Sequence, residues 1–68
     1  MSRKHYIAMA NAFNLQLRNT LDKPDSGFTK GYKLAVQEMI RVYCLLAFED
    51  NPAFDGDRFA DACYKGIA

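Results

Sequence analysis

The soft metal ligands of this chain are His5, Cys44 and Cys63. A structural zinc site usually draws four such ligands, often from close pairs such as Cys-x2-Cys. Nothing here has that spacing. Asp50, Asp55, Asp57 and Asp61 cluster near the end of the chain, and Asp55-Gly56-Asp57 reads like a loop. The alternating oxygen ligands and closing bidentate Glu of a calcium loop are missing, and helix capping explains Asp55 better. We expect no metal site and no cofactor. Nucleophilic catalysis needs a thiolate favoured by a cationic or glycine-rich setting. Cys44 and Cys63 lie instead on apolar helical stretches and read as small core hydrophobes of a reducing compartment. There is no glycine-rich phosphate loop. A chain this short is also not expected to enclose a substrate pocket on the order of several hundred cubic ångströms. The expectation is a protein that is not an enzyme.

Length and composition narrow the classes further. Sixty-eight residues, half of them apolar and a quarter charged, describe one globular domain over residues 1–68. Such a chain buries only about 60% of its unfolded surface, so its core is thin. The net charge of +1 does not favour a strongly basic clamp on DNA or on a membrane. No apolar run approaches the roughly 18 residues of a membrane span. Asn11 and Asn14 interrupt the apolar stretch that a signal peptide would need. The expected location is the cytoplasm. Charge is uneven along the chain: residues 1–48 hold seven Lys/Arg and three Asp/Glu, whereas residues 49–68 hold two and five.

Three helices account for the periodicity, about 3–20, 30–50 and 55–65, and the fold class is all-α. In the first, Tyr6, Ala10, Phe13 and Leu17 share one face, Ile7 and Leu21 widen it, and Ser2 is a reasonable cap. Arg18 and Asp22 lie four apart, a spacing suited to a weak pair. The loop around Pro24, Asp25, Ser26 and Gly27 follows, with Ser26 or Thr29 as the next cap. In the second helix Tyr32, Val36, Met39, Ile40, Tyr43 and Leu46/Ala47 follow the inward stripe. Pro52 ends that helix by about Asp50. Asp55 caps the third, Phe54 and Phe59 are spaced as a hydrophobic staple, and Gly66 suits its C-terminal stop.

The second helix carries more apolar surface than its neighbours can shield. Leu34, Arg41, Leu45 and Phe48 form a row opposite the inward stripe. That row spans about 21 Å, whereas a third helix of about ten residues offers roughly 15 Å. An apolar patch rimmed by charge marks an interaction site. The row is therefore the candidate partner-binding face, for a foreign protein or for a second copy in a homodimer. Arg3 and Lys4 are candidate steering charges. Arg58 sits in the first turn of the third helix, where the dipole disfavours a cation. It has two readings: an ion pair with Glu49, Asp50 or Asp61, or a partner contact. Nucleic acid is not favoured as a partner. A helix-turn-helix needs a short turn before a polar recognition helix. Here the loop is longer, the helix after it is the most apolar, and the last helix is acidic.

Two segments resemble a group of very short proteins encoded by bacteriophages and prophages. One is Arg3-Lys4-x-Tyr6-Ile7-Ala8-x-Ala10. The other, more specific, is Phe48-x-Asp50-Asn51-Pro52-x-Phe54-Asp55-x-x-Arg58-Phe59-x-x-Ala62-Cys63. The resemblance covers about half the chain. Residues 20–34 depart from it, and Tyr64 follows Cys63 where the pattern has glycine. No catalytic residue carries over. What the resemblance implies is a context: an accessory protein in a bacterial host cell that binds and inhibits or redirects a host protein complex, CRISPR-type defence complexes included. A small transcription-modulating or nucleic-acid-binding protein and a minor virion subunit are the alternatives.

Overall fold

A computed structural model describes residues 3–24 and 26–67. The expected cap Ser2 and the turn residue Asp25 lie outside the described residues. The helices are α1 (Arg3–Arg18), α2 (Gly27–Asp50) and α3 (Gly56–Cys63), and no described residue is in a strand.

α1 turns Ala10, Phe13 and Leu17 fully inward and keeps Tyr6 half-buried against them. It ends two residues before the expected boundary. The Thr20 hydroxyl donates to the Leu17 carbonyl at 2.6 Å, and its own N–H reaches the same oxygen at 3.1 Å. These bonds tighten the last turn and leave Thr20 buried. Ile7 and Leu21 do not widen the inward stripe; both are exposed. Leu21 falls in the turn after the helix, where Thr20 takes the inward place.

α2 starts three residues before the expected position, because Ser26 is the cap. Its Oγ accepts from the Thr29 N–H at 3.3 Å. Gly31 therefore lies inside the helix, at a propensity cost of about 1 kcal/mol relative to alanine. The other end falls at Asp50 as expected: Asn51 is extended, and its Oδ1 accepts from the Ala53 N–H at 3.1 Å. Val36, Ile40 and Ala47 are buried, with Tyr32 and Tyr43 half-buried beside them. Met39 and Leu46 are not core residues. They are 57% and 59% exposed, because the covered strip of α2 is narrower than its apolar surface.

α3 is shorter than expected. Asp55 caps it by accepting from the Arg58 N–H at 3.0 Å, and Tyr64 closes it. Its one buried aromatic, Phe59, joins every element. The Phe59 ring stacks on Tyr43 of α2 at 5.0 Å, meets Phe13 of α1 edge-on at 6.3 Å, and touches its staple partner Phe54 at 5.6 Å. Cys63, one turn further on, is fully buried in the same cluster.

The chain beyond α3 is tied to α1. Asn14 Nδ2 donates to the carbonyls of Cys63 and Lys65, both at 2.9 Å, and Arg18 Nη2 reaches the Lys65 carbonyl at 3.2 Å. Arg18 Nε also holds Asn14 Oδ1 at 2.7 Å. The guanidinium is thus spent on Asn14 and Lys65, not on Asp22. Gly66 allows the turn with φ +76°, and a Cβ there would stand 2.7 Å from the Arg18 guanidinium. Ile67 then folds onto the core cluster, leaving the outer row of α2 uncovered.

Candidate partner-binding surface

α2 has 24 residues and is about 36 Å long, whereas the eight residues of α3 reach about 12 Å. The third helix can cover only part of the second. Leu34, Leu45 and Phe48 are 64%, 56% and 55% exposed. Arg41 stands in the same row, exposed, and forms a bidentate ion pair with Glu38 one turn back. That pair holds the Glu38 carboxyl below its ordinary range, chiefly through the hydrogen bond and then through charge. Arg41 is therefore a charged rim held in place by its own helix.

A second exposed row runs beside the first, because Met39 and Leu46 face outward. Phe28, Ala35, Met39, Val42 and Leu46 recur at spacings of seven, four, three and four. This is the spacing of a helix–helix seam. All five are exposed, Phe28 at 86%. The period of α2 alone cannot say which apolar rows are covered, because nearly every side of residues 42–48 is apolar.

Arg3 and Arg58, remote in sequence, line one cleft of about 360 Å³ between the start of α1 and α3. Its floor is apolar: Tyr6 and Phe54 meet there with ring centroids 4.6 Å apart, and Ile7 lies at the side. It is an open surface cleft, not an enclosed pocket, and lies where the start of α1 meets the start of α3. Among the described residues no carboxylate pairs with the Arg58 side chain, so the expected ion pair with Glu49, Asp50 or Asp61 is not formed. Lys4 is exposed on α1 and is not among the lining residues.

Both cysteines are free thiols. Burial pushes Cys63 up to about 11, and burial followed by the charge of Asp57 raises Cys44. Both therefore stay protonated at neutral pH. Among the described residues no three His, Cys, Asp or Glu side chains gather as a metal site, and no helix is long and apolar enough to cross a membrane. Comparison of the chain with protein-family models, with curated proteins and with solved structures finds no match.

Proposed function

We propose that the chain is a small bacteriophage-encoded accessory protein that acts by stoichiometric binding. Through the outer row of α2 it docks on a host protein complex, of which a CRISPR-type defence complex is one kind, and inhibits or redirects it. The observation that carries the binding role is the exposed row Leu34–Leu45–Phe48 with its Glu38–Arg41 rim. A large exposed apolar patch costs solubility unless a partner covers it, and a charged rim around an apolar centre is how protein interfaces are built. The phage context rests on the resemblance of the Arg3–Ala10 and Phe48–Cys63 segments. The site is a surface without a reacting constellation, which favours binding over turnover.

The test is capture of partners from bacterial lysate with the wild-type chain and with Leu45→Asp, followed by titration of the partner recovered. Leu45 is exposed, so the variant keeps its helical circular dichroism. Binding should weaken by about 2 kcal/mol or more. Unchanged affinity would exclude this face. Retention that instead falls steeply with salt and tracks nucleic acid would replace the proposal with a nucleic-acid role.

A further inference from the structure

We infer that the cleft between the start of α1 and α3 is a recognition site for an acidic peptide segment. The segment would lay a bulky apolar side chain on the Tyr6–Phe54 floor and set a neighbouring carboxylate against Arg3 and Arg58. The inference stands apart from the α2 row and does not depend on it.

Four observations converge. The cleft is of ligand size, about 360 Å³, and its floor is two aromatic rings in contact. Such a floor offers apolar area to one large side chain. Arg3 and Arg58 come from different helices and both stand at its edge, exposed. Among the described residues neither guanidinium has a carboxylate partner. Arg58 also occupies the first turn of α3, where the helix's own positive end disfavours it. A cation held against its local preference, without an ion pair, beside an apolar hollow is placed for an incoming anion. Guanidinium is the cation that grips a carboxylate through paired hydrogen bonds.

The charge count selects the ligand. Asp55 also lines the cleft, with its Oδ1 accepting from the Arg58 N–H at 3.0 Å. Two guanidiniums and one carboxylate leave a single positive charge. That matches one carboxylate and opposes a phosphate, which carries close to two negative charges at neutral pH. The apolar floor requires the anion to come with an apolar neighbour. A glutamate or aspartate beside a phenylalanine, tyrosine, leucine or isoleucine meets both conditions.

The experiment is an amide chemical-shift titration of the isotope-labelled chain with capped peptides in a glycine–serine background. The probes pair phenylalanine with one glutamate, Glu-Phe in one peptide and Phe-Glu in another. Their counterparts carry Gln, Lys or Asn in place of the glutamate, or Ala in place of the phenylalanine, and a parallel set replaces phenylalanine with tyrosine, leucine or isoleucine. AMP and inorganic phosphate form a separate arm. The expected result is saturable shifts at Ile7, Ala53, Phe54 and Arg58 with an acidic, bulky member. Loss of the charge, or of the bulky apolar side chain, should weaken binding about tenfold or more, the size of one charge-assisted contact. Arg58→Gln and Arg3→Gln should each weaken it several-fold, and Leu45→Asp should leave it unchanged. Both arginines are exposed, so these variants keep the fold, which circular dichroism checks. The inference is overturned if no acidic member shifts the cleft at millimolar peptide, if the glutamine counterpart binds as well, or if AMP or phosphate binds more tightly. Peptide shifts confined to α2 would also overturn it while leaving the proposed docking face intact.

Discussion

Single side chains show how a thin core is finished. Tyr6 packs its ring on Phe54, yet its Oη is buried with no hydrogen-bond partner among the described residues. A buried hydroxyl left unpaired costs about 1–3 kcal/mol of desolvation. Tyr6→Phe removes that group and keeps the ring contact. The variant should be as stable as the wild type or more stable by about 1 kcal/mol, read as an unchanged or raised midpoint of urea unfolding. A loss of stability would show that the hydroxyl is bonded. Tyr6 was legible as an inward residue from its spacing with Ala10, Phe13 and Leu17. Its unpaired oxygen was not, since that depends on which atoms of α2 and α3 arrive beside it. The caps were more legible. Asp55 and Ser26 stand before apolar periodic runs, and their bonds to the N–H groups three residues on are local.

At the scale of elements, the shortest helix is held by contacts from outside itself. α3 has eight residues, too few to persist alone. Phe59 anchors its middle, and Asn14 takes up the Cys63 and Lys65 carbonyls that the helix end leaves unpaired. Asn14→Ala should therefore cost about 2 kcal/mol, near 1 for each bond. Asn14→Asp should cost more, because it sets a carboxylate oxygen against two carbonyls. Comparing the two variants by urea unfolding checks the order, and a milder aspartate would contradict the donor role of Nδ2. In the sequence Asn14 reads only as a polar interruption of an apolar stretch. Its partners lie about fifty residues away, and no local pattern announces a bond of that span. The exposed α2 rows divide likewise. The surplus of apolar residues was readable from α2 alone. The exposure of Met39 and Leu46 was not, because it depends on how α3 sits across the helix.

For the whole molecule, shape follows from the long second helix and pH response from the groups the small core buries. The radius of gyration is 12.6 Å, above the roughly 11 Å expected of a compact chain of this length, and the longest extent is 38 Å. α2 sets that extent and projects past the aromatic cluster. The core is small and contains or borders several acidic protons whose loss burial opposes. Cys63 is raised from 9.0 to about 11, and Tyr43, Tyr64 and Cys44 are raised by burial first. A group raised in the folded state contributes its full stability below its unfolded value. That contribution is lost as pH rises through the folded value. Stability from Cys63 should thus be constant from neutral pH to about 9 and fall between about 9 and 11, and the raised tyrosines add to the fall above about 10. Urea midpoints across that range provide the check. A midpoint that holds or rises up to pH 11 would contradict the burial of these groups.

The sequence by itself determined the three helices, the Asp55 cap, the break at Pro52, the Phe54–Phe59 staple and the excess of apolar surface on the second helix. Each of these is set within a few residues, by periodicity, backbone restriction or a nearby hydrogen bond. Tertiary structure decided which apolar rows stay exposed, how Asn14 secures the chain after α3, and that Arg3 and Arg58 share a cleft. Those outcomes depend on how the eight-residue α3 packs against both α1 and α2. That relation exists only once distant parts of the chain are packed together.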